Sequence, residues 1–340
     1  MNIFKFNDSF NPFLISEIGG NHEGSFESAK KMAQLAIDAG SDCVKFQLYT
    51  GNGLVSSVES PERNQHFKKF ELLRDQHIYL AQMCREAGVS YNASVWDIDM
   101  LDWIDEYLDF YKIGSGDLTA WPILEKFAAR NKPILLSTGM SSLKEVIDTV
   151  HFIQKINSNY EDPKMLCLMQ CTSMYPIPFS EANLNVMTTY RNVTGLSVGY
   201  SDHTEGVDAL KVAAIMGASV LEYHFTDTRD GKVFRDHKVS LTPSELVELK
   251  IDLANFSSLR GNGVKMPTKS ELKENHRVSF RRAVYLNRNF KKGEIISASD
   301  LVYLRPANGT DARDVDQVLG ARSLRDIKAY SAIIKSVDYT

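Results

Sequence analysis

The chain is poor in the features that mark several large protein classes. It has only four cysteines, Cys43, Cys84, Cys167 and Cys171, in 340 residues, and no CxxC motif. Cys167 and Cys171 are the one close pair; on a single strand they would share a face yet sit too far apart to bridge. All four read as reduced packing residues, as in a cytoplasmic protein. There is no basic excess: 39 basic against 43 acidic residues leave a net charge of −4, which argues against a nucleic-acid partner. No window approaches the roughly 20 apolar residues of a membrane helix. The opening MNIFKFNDSFNPF has no basic segment followed by a long apolar one, which again points to the cytosol and away from a membrane. Internal repeats and low-complexity tracts are also missing, and no GxGxxG opens a helix after the first apolar run.

What is present is ordinary in bulk and specific in arrangement. Hydrophobic residues make up 43% and charged residues 24%, enough for a substantial core. Eight short apolar runs read as strands: 13–18, 43–47, 89–94, 110–113, 133–137, 166–171, 196–201 and 220–225. Such runs suit parallel strands buried on both faces. Helical patterns lie between them at 28–39, 76–87, 142–156 and 207–216, several stopped by glycine. Eight βα units in about 250 residues predict a TIM barrel, with a doubly wound open sheet as the competing α/β architecture. After residue 260 the pattern changes. The organisation expected is a barrel over 1–262, a polar linker over 263–278, and a small β-rich domain over 279–340. Short apolar stretches at 283–286, 295–296, 301–304, 318–319 and 332–334 are its strand candidates. A unit that small is marginal alone.

A barrel enzyme carries its site on the loops that follow the strands, and polar residues gather there. Lys45 and Lys112 end apolar strands, with Ser94, Ser115, Ser137, Ser173 and Ser201 at equivalent heights. Fixed positive charge, hydroxyls and the glycine turns at Gly114, Gly116 and Gly139 suit an anion pocket; edge lysines with their heads in water are the plainer alternative. His203 and His224 end the seventh and eighth candidate strands. Two imidazoles converging there would make an open divalent-metal site with Lewis-acid character, unless they are unrelated loop residues. Glu17 ends the first strand and reads either as a general acid/base or as the partner of Lys45 in a structural salt bridge. Asp117 and Asp236 are carboxylates suited to sugar hydroxyls. His66, His77, His151 and His276 fall in helical or linker stretches and read as surface residues.

The segments EIGGNHEG, VKFQ, YKIGSGD, LSTGMS, CTSMYP, YSDHTEG and HFT, in that order, resemble the sialic acid synthases and, more broadly, the bacterial nonulosonic acid synthases. The last 60 or so residues, with RPANG around Arg305, resemble the SAF (antifreeze-like) domain of those enzymes. The resemblance implies a TIM barrel followed by a SAF domain in a domain-swapped homodimer. It implies condensation of phosphoenolpyruvate with an N-acetylmannosamine-type amino sugar and release of phosphate, using Mn2+, or alternatively Mg2+ or Co2+. By the same resemblance Glu17 is catalytic and His203 and His224 are the metal ligands. Lys45, Ser94, Lys112, Ser115, Ser137, Ser173 and Ser201 fall at or beside the phosphoenolpyruvate positions. Gln47, Asp117, Tyr175 and Asp236 fall near the sugar, and Arg305 is lent to the neighbouring barrel. Some positions depart from the family. Ser94 replaces a threonine, Ser173 an asparagine and Asp117 a glutamate, and Tyr223 stands where a basic residue precedes the metal histidine. The stretch 226–237 lacks the usual Gly-Pro-Asp-His wording. The phosphate and metal positions keep their residue type while the sugar side differs, so pseudaminic, legionaminic or another nonulosonic acid is the alternative product. Two further alternatives are an aldolase working through a Schiff base on Lys112, and an inactivated sugar-binding homologue.

Overall fold

The computed structural model describes residues 11–340, so most of the opening segment read above for a leader lies outside the described residues. Eight strands alternate with helices: β1 Phe13–Glu17, β2 Cys43–Leu48, β3 Ser90–Val95, β4 Tyr111–Ile113, β5 Ile134–Ser137, β6 Leu166–Cys171, β7 Ser197–Asp202 and β8 Val220–His224. Each lies within one residue of its expected limits at either end. All ladders are parallel, in the order β3-β2-β1-β8-β7-β6-β5-β4. The two ends of that order meet through side chains. Asn92 Nδ2 on β3 donates to the Phe110 carbonyl at 2.7 Å, and Ser90 Oγ donates to Asp109 at 2.8 Å. The sheet therefore closes into the expected barrel and is not an open doubly wound sheet.

Local chemistry sets the helices. α1, Phe26–Asp38, begins at Ser25, whose hydroxyl accepts from the Ser28 amide, and buries Ala29, Met32, Ala33 and Ala36 at helical spacing. The helix Leu143–Ile156 opens with a capping box between Ser142 and Glu145 and buries Val146, Val150 and Ile153. The connection between β2 and the helix α4, Arg74–Glu86, is unusual. It holds two extra helices, α2 Gly51–Leu54 and α3 Pro61–Phe70.

The chain divides into two compact units at Gly261–Asn262. In the second unit, β9 Ala283–Leu286 pairs antiparallel with β10 Leu301–Leu304 over a core of Val284, Leu286, Phe290, Ile296, Val318, Ile333 and Tyr339. Of the other expected strand segments, 295–296 and 332–334 make only single bridges, Ile295 with Arg322 and Tyr285 with Ala332, and no bridge is found at 318–319 among the described residues. Two or three apolar residues supply core contacts but are too few to propagate a ladder. The polar stretch before this core carries two short helices, Lys269–Lys273 and His276–Ser279. The first is started by a capping box between Thr268 and Glu271 that a reading of polarity alone passes over.

Candidate active site

A strand sends alternate side chains to opposite faces, so each barrel strand supplies one inward file. The lower part of that interior is apolar: Ile15, Cys43, Phe110, Leu135, Cys167, Met169 and Val220 form one buried cluster. Two residues further along the same files the character reverses. Glu17 stands opposite Lys45 on one side and His224 on the other, Gln47 opposite Ser94, and Ser201 opposite Glu222. These residues open into a cavity of about 750 Å³ at the C-terminal end of the barrel.

Two lysines and two glutamates form its floor, all of them buried. Lys45 is ion-paired with Glu17, as the plainer reading of Glu17 anticipated, and also lies 3.8 Å from Glu222. Lys112 pairs with Glu222 at 2.8 Å, and the Ser201 hydroxyl donates to the same carboxylate oxygen at 2.9 Å. Gln47 donates to Glu17 at 3.0 Å. The two carboxylates are driven apart. Burial raises the Glu17 carboxyl, Lys45 opposes this, and the nearby Glu222 charge adds to the rise. Burial also acts on Glu222, but Lys112 and Lys45 outweigh it and hold that group at about 2. Glu222 is thus held as the anion, and Glu17 is the carboxyl of the two that takes a proton more readily.

Hydroxyls line the wall beside the lysines. Ser94 Oγ accepts from Lys45 at 3.3 Å, and Ser115 Oγ accepts from the Gly139 amide at 3.0 Å. Ser137 Oγ is buried with no hydrogen-bond partner, a donor that a bound oxyanion would satisfy. A side chain at Gly139 would place its Cβ 2.4 Å from Ser173 Oγ and 2.9 Å from Ser115 Oγ. Any larger residue would push both hydroxyls away from the loop after β5.

The histidines sit on the adjacent side. The rings of His203 and His224 are 5.4 Å apart between centroids, and Tyr175 packs 4.0 Å from the first and 5.6 Å from the second. His203 Nδ1 is 2.8 Å from the Thr172 carbonyl. Donation to that oxygen leaves the lone pair on Nε2. His224 Nδ1 is buried without a partner, and burial holds this imidazole neutral, well below its ordinary range. Burial works the same way on His203, but the Cys171 thiol, the Thr172 carbonyl and Asp202 outweigh it and raise that imidazole; once His203 is neutral, the two rings offer His203 Nε2 and a His224 ring nitrogen to a divalent ion. Among the described residues no group of three or more His, Cys, Asp or Glu side chains is arranged to hold one, so the pair fits an open site completed by water or substrate oxygens. Asp117 and Asp236 also line the cavity, and burial raises both carboxyls. Asp236 is 3.1 Å from Arg235.

The structure thus gathers every expected site residue except Arg305 into one cavity. Arg305 follows β10 in the second unit, with its guanidinium 5.8 Å over the Phe280 ring. Three expectations need correction. Tyr223 points away from the cavity, buried on the helix side of β8 with its hydroxyl accepting from Ser16 at 3.2 Å, so its departure from the family does not touch the site. His77 is fully buried, with Nδ1 2.6 Å from the Tyr91 hydroxyl, because it lies on the inward face of α4. Cys171 is more than packing: it lines the cavity with Sγ 3.8 Å from His203 Nδ1. Sequence reasoning also missed Glu222, although its position two residues before His224 places it on the same inward file. It missed a rim formed by α3 and the loop after β8, where Arg63, His66, Phe67, Phe70, Phe234 and Arg235 meet. The length of the β2–α4 connection was the available signal.

Comparison with known proteins is consistent along the chain. A model described as the NeuB family matches residues 32–265, and a SAF domain model matches residues 281–333. The N,N'-diacetyllegionaminic acid synthase of Campylobacter jejuni is 34% identical over 328 residues, covering 93% of this chain and 96% of that protein. The N-acetylneuraminate-9-phosphate synthase of Homo sapiens is 29% identical over 340 residues, covering 96% and 92%. The crystal structure of an N-acetylneuraminic acid synthetase from Leptospira borgpetersenii, in complex with citrate, superposes with a TM-score of 0.71. It is 28% identical and covers 78% of this chain and 91% of that one.

Proposed function

This chain belongs to the NeuB family of nonulosonic acid synthases, and on that premise we propose that it joins phosphoenolpyruvate to an N-acetylmannosamine-type amino sugar and water, releasing phosphate. One observation carries the reading: the buried Lys45, Lys112 and unpartnered Ser137 share one cavity with the imidazoles of His203 and His224. Phosphate and carboxylate call for the first set, and an aldehyde beside a metal calls for the second.

Lys45 and Lys112, with the serine hydroxyls, hold the phosphoenolpyruvate anion so that its C3 faces the sugar's aldehyde. His203 and His224 are the residues that would hold a divalent ion, Mn2+ foremost, which supplies Lewis-acid polarisation of that aldehyde. C3 bonds to the aldehyde carbon, water adds at C2, and the C2–O bond to phosphorus breaks, so the bridging oxygen leaves with phosphate. Glu17, raised by burial, carries the protons. Tyr175, Gln47, Asp117 and Asp236 border the space left for the sugar. In a homodimer, Arg305 of one protomer would complete its partner's site. With four unpaired cysteines, and no helix among the described residues long and apolar enough to cross a membrane, the same reading takes the cytoplasm as the setting. An aldolase working through Lys112 is disfavoured, because Glu222 holds that ammonium at 2.8 Å and a charged, paired amine is not a free nucleophile.

The test is phosphate release by the purified protein supplied with phosphoenolpyruvate, a divalent metal and a 2-acetamido sugar. Release that requires the sugar, with a product heavier by one pyruvate unit, is expected. EDTA should stop it and added Mn2+ restore it. Release without sugar, or a pyruvate adduct trapped on Lys112 by borohydride, would contradict the reading.

A further inference from the structure

The cavity has a side that the condensation itself does not use. Gly20 lies three residues beyond Glu17 on the loop after β1. A Cβ there would stand 3.0 Å from Phe234 Cε1 and 3.5 Å from Phe70 Cδ1. Glycine therefore seats these two rings directly against the loop that leaves the catalytic strand. Phe234 and Phe70 lie 5.1 Å apart between centroids, and the His66 ring packs 4.4 Å from Phe70 and 5.9 Å from Phe234. Deeper along the same side, Phe67 makes an edge contact with Tyr49 at 5.2 Å, and Tyr49 stacks on Trp96 at 5.5 Å. The result is a continuous aromatic wall, contributed mainly by α3 and the loop after β8, opening on the same cavity as the lysines and histidines.

The two arginines on this wall lie over different rings and do not share one. The Arg63 guanidinium lies 5.6 Å over the Phe67 ring, and that of Arg235 lies 4.7 Å over Tyr175 while pairing with Asp236 at 3.1 Å. A phosphate needs several convergent donors; a methyl or acyl group needs ring faces and excluded water. The wall supplies the second.

Building on the proposed condensation, we infer that this aromatic wall is the specificity subsite for the end of the amino sugar remote from its aldehyde, and that it selects an uncharged, acylated or deoxygenated end over a phosphorylated one. Phe234 is the central contact, Phe67 the second, and Gly20 the residue that allows the wall to form.

The experiment is the kcat/KM of phosphate release for three sugars with saturating phosphoenolpyruvate: 2,4-diacetamido-2,4,6-trideoxymannose, N-acetylmannosamine and N-acetylmannosamine 6-phosphate. The diacetamido sugar should exceed the 6-phosphate by about tenfold or more, the scale on which apolar pockets discriminate. Phe234→Ala should remove most of that advantage, read as a fall in the ratio of the two kcat/KM values, and Phe234→Leu should restore part of it. Preference for the 6-phosphate, equal use of all three sugars, or an advantage that survives both Phe234→Ala and Phe67→Ala would overturn the inference and leave the condensation standing. The wild-type ranking decides the matter even if a variant does not fold. Absence of turnover with every sugar would overturn the condensation, and the inference with it.

Discussion

The lower and upper halves of the barrel interior are built from the same eight strands and differ by two residues of chain. Ile15 and Glu17, Cys43 and Lys45, and Val220 and Glu222 are successive inward residues on their strands. Below, the side chains are apolar and fully buried; above, they are ionic and equally buried. Burying four charges is costly unless each finds a partner. Here Lys45 is shared by Glu17 and Glu222, and Lys112 is neutralised by Glu222. One layer invests in packing and the other in a charged surface that an anionic substrate can enter. The comparison predicts that substitutions in the two layers fail differently.

Glu17→Gln should have the largest effect. Turnover should fall by roughly 10²–10⁴-fold, the usual contribution of a general acid/base, with phosphoenolpyruvate binding kept. Rapid phosphate release by this variant would remove Glu17 from the chemistry. Ile15→Ala, two residues earlier, should cost about 2–5 kcal/mol of stability yet leave kcat/KM per folded molecule close to wild type. A large catalytic loss without destabilisation would erase the distinction between the layers.

Acid sensitivity sharpens the comparison from outside the barrel. Burial holds His77 at about 3 and His22 at about 4, both far below the ordinary 6.5. Unfolding frees these rings to take protons at higher pH, so their stabilising contribution is complete above about 6.5. It is lost as pH falls from there toward about 3, on the order of a few kcal/mol. Thermal unfolding of His77→Phe should therefore vary less across that window than wild type; parallel curves would show that His77 does not drive the loss. The smallest effect is expected from Ser94→Thr. That change keeps the hydroxyl that accepts from Lys45, and activity should stay within about threefold. A collapse of activity would mean the added methyl cannot fit beside the lysine.

The sequence made the barrel readable because buried parallel strands are short apolar runs closed by polar turns, and all eight appear where those runs lie. The site was readable near the C-terminal end of each strand and in the loops just after it, and less so elsewhere. Glu222 stood among the polar residues at the end of the eighth run but received no role, although a period of two puts it on the same file as His224. The aromatic wall escaped because α3 carries Phe67 and Phe70 among charged residues. Its face toward the cavity is set by tertiary contacts with Phe234, far away in the chain. His77 looked like a surface residue because a histidine on a helix is ambiguous until the neighbouring strand supplies Tyr91. In the second unit, β9 and β10 were visible as four-residue runs, whereas the isolated bridges depend on partners that no local pattern specifies.

The proposed condensation requires the ionic upper layer to bind phosphoenolpyruvate. Calorimetric titration of phosphoenolpyruvate into the wild type, Lys112→Met and Ile15→Val tests it most directly. Saturable binding to the wild type and to Ile15→Val, weakened at least about tenfold in Lys112→Met by loss of a buried charge-assisted contact, is the predicted result. Equal binding by all three proteins, or none by the wild type, would contradict it.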